Sequence, residues 1–305
     1  MTAETSLSED IKPISAQYKA EELTTRILGN YHYRKIPLND SLSSAMFDRF
    51  IDGIDHNKLY YEASDLANFE KYRYAFDDYL QKRELDVPFE MYNVFRKRYQ
   101  ERSDYIHTLL ASKNPFDFSE NESIDTDREN AAWAKNTAAL NDTWRKYLKS
   151  EALDLKLSGK ADTSYISTLS DRYKNRDRAL GRIRTEQVFQ MFMNAYAESL
   201  DPHTNYLAPT SADRFKQEMS QSLEGIGAIL REEDNYIKIV DVVPGGPAFK
   251  GKQLKKEDRI IGVAQGDDGK IIDIVGWFVD DAVKLIKGPK GTVVRLLVEP
   301  ASALP

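Results

Sequence analysis

The distribution of glycine and valine along the chain constrains its fold more than any other sequence feature. The first 200 residues contain four of the 15 glycines and three valines, whereas the remainder contains eleven glycines and ten valines. Glycine supplies the turns of a sheet and valine suits its half-buried surfaces, so their scarcity favours helices. At about 150 residues per domain, 305 residues suggest two domains. We therefore predict an α+β multidomain chain, with an all-α N-terminal domain followed by a β-rich domain.

The predicted boundaries are a disordered or flexible N-terminus at residues 1–17, a helical domain at 18–212, a β domain at 213–300 and a truncated tail at 301–305. In the helical part, apolar residues recur three and four positions apart, which is typical of a buried helix face. Residues 113–130 have no such period, and we expect a long surface loop there. The apolar stripes are Leu23, Ile27 and Leu28; Met46, Phe47, Phe50 and Ile54; Leu66, Phe69, Tyr72, Phe76 and Leu80; and Phe89, Tyr92, Val94, Phe95 and Tyr99.

The β domain is predicted from short apolar runs separated by turn residues. The runs lie at residues 236–243, 259–263, 270–275 and 292–298, with Pro-Gly-Gly-Pro at 244–247 and Gly-Asp-Asp-Gly at 266–269 between them. One amphipathic helix fits at 280–287, where Gly288 and Pro289 stop it. These elements predict a partly open β-barrel with one long helix.

Composition excludes several kinds of site. The absence of cysteine removes disulfides and thiolate chemistry. The net charge of −6 gives no reason to expect a nucleic acid, and the basic run at 172–184 is interleaved with acids, which favours a solvated face. No apolar run approaches the roughly 18 residues of an integral membrane segment, and residues 1–17 lack an export-signal pattern. We expect no cofactor and no metal site, because the histidines are far apart: His32, His56, His107 and His203.

The most informative motif is the glycine pair Gly225 and Gly227, which leads straight into a predicted strand. Amides that no Cβ obstructs can turn inward together and bind an anion. The motif lacks the third glycine and the Lys-Ser/Thr of a phosphate loop, so a carboxylate is the better candidate. A tight turn or β-bulge without a ligand remains the alternative.

The order of elements after this loop resembles a PDZ domain of the permuted bacterial type. The resemblance implies that the glycine loop binds the terminal carboxylate of a peptide, that the next strand pairs with the peptide, and that the helix forms the far wall of the groove. PDZ domains usually have glycine before the aspartate of the following turn, where this chain has Glu257 before Asp258. The implied substrate-binding residues are Leu223, Glu224, Gly225, Ile226, Gly227, Ala228, Ile229, Val283 and Ile286, of which Ile226, Ile229, Val283 and Ile286 would line a pocket for an apolar last residue.

The stretch Asp201-Pro202-His203-Thr204-Asn205-Tyr206-Leu207, continuing to the glycine loop, is similar to the tail-specific, or C-terminal-processing, proteases of Gram-negative periplasms. The helical part fits the same family at Tyr31-His32-Tyr33, Phe47-Asp48-Arg49-Phe50, Ile54-Asp55-His56, Trp133, Lys135-Asn136 and Leu155-Lys156-Leu157-Ser158-Gly159. The resemblance implies a periplasmic serine endopeptidase that recognises free, apolar protein C-termini. It also implies that the catalytic serine and lysine lie beyond the end of this chain, so no catalytic residue is assigned.

We therefore expect the substrate-recognition portion of such a protease, with the C-terminal tails of protein substrates as partners and an adaptor protein on the helical domain. The alternative is a stand-alone PDZ scaffold that holds partners together without cutting them. A third hypothesis is a structural helical protein whose groove has lost its ligand. Binding of a free carboxylate, but not of the corresponding amide, would argue against the third.

Overall fold

The computed structural model describes residues 9–125, 127–157, 164–209, 211–212, 215–216, 225–233, 236–288 and 291–303. Contacts divide the chain into two compact units, Met1–Pro209 and Thr210–Pro305. The described part of the first unit is helical, and that of the second contains an antiparallel sheet and short helices. The predicted fold class, an all-α domain followed by a PDZ-like β domain, is confirmed.

The helices of the first unit are joined by short connections, apart from the segment between the fifth and sixth. They are α1 (Ser15–Tyr31), α2 (Asp40–Asp55), α3 (Ala63–Phe69), α4 (Phe76–Lys82), α5 (Asp86–Ala111), α6 (Thr137–Leu157), α7 (Ser164–Gly181) and α8 (Thr185–Leu200), with a 3₁₀ turn at Glu70–Tyr72.

Two hydrophobic clusters hold these helices together. In the first, which includes α2, α4, α5 and α8, the rings of Phe50, Phe76 and Phe192 meet edge to face with centroids 5.4 to 6.0 Å apart. In the second, α6 and α7 pack with the C-terminal part of α5 around Trp144, whose indole Nε1 donates to the carbonyl of Leu59 at 2.7 Å. Most of the predicted stripes are therefore core.

Helix α1 departs from the predicted burial pattern. Leu23 and Ile27 were expected in the core but are 48% and 46% exposed. The buried residues of α1 are instead the polar Gln17 and Glu21. Gln17 accepts a hydrogen bond from the hydroxyl of Thr185 at 3.0 Å. One polar contact with α8 thus accompanies an orientation of α1 that turns two of its apolar side chains outward.

Glu21 is fully buried, and within the described residues its Oε2 atom has no hydrogen-bond partner. Its Oε1 atom accepts from the hydroxyl of Thr25 at 2.9 Å. Burial raises the pKa of Glu21 from 4.5 to about 7, although Thr25 and Arg83 act in the opposite direction. Arg83 itself pairs with Glu22 at 2.7 Å. Glu21 therefore holds a proton in the folded chain up to about neutral pH.

The segment predicted as a long surface loop contains no helix or strand in its described residues 113–125 and 127–130. It is nevertheless anchored to the second cluster, because Phe116 is 9% exposed and packs there. Glu122 pairs with Arg145 and, at 2.6 Å, with Lys149. These two cations lower the pKa of Glu122.

The second unit contains β1 (Ala228–Glu233), β2 (Tyr236–Val242), α9 (Pro247–Gly251), β3 (Arg259–Gln265), β4 (Ile272–Asp273), α10 (Val279–Ile286) and β5 (Val294–Glu299). All pairings are antiparallel: β1 with β2, β2 with β3, and β3 with both β4 and β5. The core is aliphatic and includes Ile237, Ile239, Ile260, Val263, Ile274, Ala282 and Ile286. This arrangement leaves β1 at the edge of the described sheet.

Glu257 occupies the position where PDZ domains usually have glycine, and it adopts the left-handed conformation that favours glycine, with φ of 74°. Its amide donates to the carbonyl of Ile239 at 2.8 Å. Its carboxylate pairs at 2.7 Å with Lys238, which also pairs with Glu233. The turn therefore keeps the conformation expected of glycine despite the substitution.

Candidate functional site

The candidate site begins at the glycine loop, whose described residues are 225–227. Gly225 has φ of 138° and Gly227 has φ of 73°. Both values lie where an L side chain is strained, so this backbone path requires glycine. The predicted site residues Leu223 and Glu224 lie outside the described residues.

The carbonyl groups of this loop are turned toward the segment that follows β2. The carbonyl of Ile226 accepts from the amide of Ala248, and that of Gly227 accepts from the amide of Val243, both at 2.8 Å. Among the described residues, none accepts a hydrogen bond from the amide of Gly225, Ile226 or Gly227. The loop therefore offers donors that the described fold does not use.

The backbone of the glycine loop lies very close to the backbone of the Pro-Gly-Gly-Pro segment, which holds the loop in place. A Cβ atom on Gly227 would lie 3.0 Å from the Cα atom of Gly246, and one on Gly246 would lie 3.1 Å from the Cα atom of Gly227. Contacts this short exclude a side chain at either position unless the backbone moves. The Pro-Gly-Gly-Pro segment, predicted only as a turn, thus contacts the glycine loop of the candidate site.

The predicted groove residues separate into two sets. Gly225, Ile226 and Ile286 line one cavity of about 1120 Å³, together with Leu254 and residues of β5. Ile286 is 3% exposed, and Ile226 packs against the same core. Ile229, by contrast, is 52% exposed on β1, and neither it nor Gly227, Ala228 or Val283 lines this cavity. Val283 is half-buried on α10, one turn before Ile286.

β1, which follows the glycine loop, offers a backbone edge. Within the described residues it pairs only with β2, from Ala228 opposite Val242 to Glu233 opposite Tyr236, with an irregularity between Ile229 and Leu230. An antiparallel strand has hydrogen-bonding groups on both edges, so the second edge of β1 can accept another extended segment.

Lys287 is a candidate binding residue that the sequence did not single out. It caps the C-terminus of α10, where its amide donates to the carbonyl of Val283 at 2.8 Å. Its side chain runs beside the loop, since a Cβ atom on Gly225 would lie 3.9 Å from its Cγ atom. A cation here also offsets the partial negative charge of the helix end, which would otherwise repel an anion. The only sequence signal that Lys287 lies near an anion site is its position just before Gly288, which ends the helix.

The described residues contain no group of three His, Asp or Glu side chains that could hold a metal ion. Likewise, no described helix is both long and apolar enough to cross a membrane. His203, at the end of the helical unit, lies in a turn in which its amide donates to Asp201 at 2.9 Å. The candidate site therefore combines backbone donors, a cavity and nearby cations, Lys287 beside the loop and Arg295 in the cavity wall.

Comparison with known proteins finds two family models along the chain. One, described as the tail specific protease N-terminal domain, matches residues 24–210, and the other, described as the PDZ domain, matches residues 215–299. The chain is 40% identical to a tail-specific protease of Haemophilus influenzae over 94% of its own length and 41% of that protein. It is 35% identical to the carboxy-terminal processing protease CtpA of Bacillus subtilis over 45% of its length and 27% of that protein.

Among solved structures, the PDZ domain of a carboxy-terminal protease from Vibrio cholerae in complex with peptide is 56% identical. The match covers 26% of this chain and 79% of that one, with a TM-score of 0.25. The chain spans less than half the length of the curated relatives named above.

Proposed function

The chain belongs to the tail-specific protease family, because the model of that family's N-terminal domain matches more than half of its residues, and we propose that its PDZ domain binds the free, apolar C-terminus of a protein substrate. In this proposal the chain is the substrate-recognition portion of a carboxy-terminal processing serine endopeptidase that works in the periplasm.

The observation that carries the proposal is that no described residue accepts a hydrogen bond from the amides of Gly225, Ile226 and Gly227, whereas the carbonyls of Ile226 and Gly227 accept from Ala248 and Val243. A carboxylate accepts several hydrogen bonds at once, and bonds to a charged acceptor are stronger than neutral ones. Gly225 is exposed and Ile226 and Gly227 are half-buried, so a carboxylate can reach these amides.

The rest of the peptide would continue along β1 as an added strand. Main-chain hydrogen bonds to that edge supply affinity without regard to sequence, whereas side-chain pockets supply preference. Ile226 and Ile286 border the cavity beside the loop and favour an apolar last residue. Ile229 and Val283 would flank the residues before it.

Cleavage would require the serine and lysine that the family resemblance implies, and no residue of this chain is assigned to either role. Nucleophilic attack by serine needs a base such as a lysine whose ammonium has lost its proton, which occurs where burial lowers its pKa. Binding to an adaptor protein through the helical unit is a further part of the proposal.

The proposal is tested by titrating the chain with an apolar-ended peptide in two forms, one with a free carboxylate and one with a terminal carboxamide. We expect the carboxylate form to bind about 10- to 100-fold more tightly, the range given by one charge-assisted hydrogen bond. Equal affinities, or no binding of either peptide, would contradict it.

Replacing Lys287 by methionine is expected to weaken binding of the carboxylate peptide by about two- to fivefold, because a cation that solvent still reaches contributes modestly to holding an anion. The difference between wild type and variant should shrink as salt is added. Lys284→Met is the control, since Lys284 lies on the same helix and pairs with Asp281 at 3.1 Å. An equal loss in both variants would show that Lys287 has no specific role.

A further inference from the structure

We propose that residues 243–247, here called the brace turn, fix the direction of the peptide groups in the glycine loop, and that Gly246 is a positioning residue for carboxylate selectivity. This inference rests on the proposed function of the groove. It concerns why the loop would prefer a charged terminus over a neutral one.

The hydrogen bonds accepted by the carbonyls of Ile226 and Gly227 also fix the direction of the amides in the same peptide groups. A trans peptide group is planar, and its C=O and N–H point in opposite directions. The bond from Ala248 to the carbonyl of Ile226 therefore directs the amide of Gly227 away from α9. In the same way, the bond from Val243 to the carbonyl of Gly227 directs the amide of Ala228 away from β2, toward the open edge of β1.

These bonds require the brace turn to lie very near the loop. A Cβ atom on Gly246 would be 3.1 Å from the Cα atom of Gly227 and 3.2 Å from the carbonyl oxygen of Val243. Both neighbours are backbone atoms, which cannot rotate aside as the end of a side chain can. Glycine at 246 thus permits the separation at which both 2.8 Å bonds form.

Without the brace turn, the peptide group between Ile226 and Gly227 is free to flip, because glycine adopts φ of either sign at little cost. A flip would replace an inward amide by an inward carbonyl oxygen. That oxygen repels a carboxylate but accepts a hydrogen bond from a terminal carboxamide. The brace turn therefore raises selectivity for the charged terminus by excluding the flipped state.

The test compares Gly246→Ala with wild type, using the carboxylate and carboxamide peptides and the whole chain. We expect the ratio of their dissociation constants to fall by about tenfold in the variant, the equivalent of one hydrogen bond to a charged group. Gly276→Ala is the control. It places a side chain at φ of 78° in a turn that does not line the cavity, and its Cβ atom would meet no atom within 4 Å, so the ratio should stay at the wild-type value.

The affinity ratio separates positioning from general damage, because a partly unfolded population weakens both peptides equally. If Gly246→Ala does not fold, Val243→Pro replaces it: proline removes the amide that bonds to the carbonyl of Gly227 and puts its Cδ atom in place of the amide hydrogen, so this bond cannot form. A wild-type ratio near one would overturn the proposed function itself. A selective wild type with an equally selective folded variant would overturn only the role of the brace turn.

Discussion

Replacing Gly227 by alanine is expected to lower the affinity for a free-carboxylate peptide by at least about 100-fold. Alanine at φ of 73° costs about 1–2 kcal/mol. Its Cβ atom would also lie 3.0 Å from the backbone of Gly246, so the loop must move. Movement misdirects amides whose hydrogen bonds to a charged acceptor contribute about 1.5–3 kcal/mol each. Calorimetric titration of the whole chain measures the loss.

Gly276→Ala provides the matched control for this variant. Gly276 has φ of 78°, nearly that of Gly227, but a Cβ atom there would meet no atom within 4 Å. The control should be destabilised by the same conformational cost and still bind the peptide. If folded Gly227→Ala binds within about threefold of wild type, less than the loss of one such bond, the loop is not the carboxylate site.

Replacing Glu21 by glutamine is expected to stabilise the helical unit above neutral pH and to remove a pH dependence. A buried carboxyl whose pKa rises from 4.5 to about 7 stays protonated in the folded chain while it ionises in the unfolded one. The unfolded state then binds fewer protons, so the free energy of unfolding falls as pH rises from about 4.5 to about 7, and is constant above that. The full shift corresponds to about 3 kcal/mol, and screening reduces our expectation to about 2 kcal/mol.

Thermal unfolding followed by far-UV circular dichroism at about pH 5 and about pH 8 measures this effect. The variant should gain roughly 4–8 °C at the higher pH and much less at the lower one. Glu22→Gln is the control, because Glu22 neighbours Glu21 but pairs with Arg83 at the surface. A wild-type slope retained in Glu21→Gln would assign the pH dependence to another group.

Much of the second unit could be predicted from local chemistry. Turn residues and short apolar runs have strong local preferences, and the helix predicted at 280–287 is found at Val279–Ile286. The strand predicted at 270–275 is reduced to Ile272–Asp273. The length of an edge strand depends on the residues that pack beside it more than on its own sequence. A local sequence pattern contains no information about those neighbours.

The features that could not be predicted from the sequence depend on contacts between residues far apart in the chain. The pairing of Gly246 with Gly227, and the passage of Lys287 beside Gly225, join segments that only the folded sheet brings together. In α1 the spacing of Leu23 and Ile27 was read as a buried face, but the buried residues are Gln17 and Glu21. An apolar period identifies a helix, but which of its faces is buried also depends on polar contacts such as that of Gln17 with Thr185 of α8.

The left-handed conformation of Glu257 has a consequence for how this sequence can change over time. Glu257 keeps this conformation while its carboxylate forms an ion pair with Lys238, which also pairs with Glu233. A lineage that acquires glycine at 257 would relieve the strained backbone and loosen the selective constraint on Lys238. Drift at these two positions is therefore expected to be correlated, with the lysine free to vary only after the glycine has appeared.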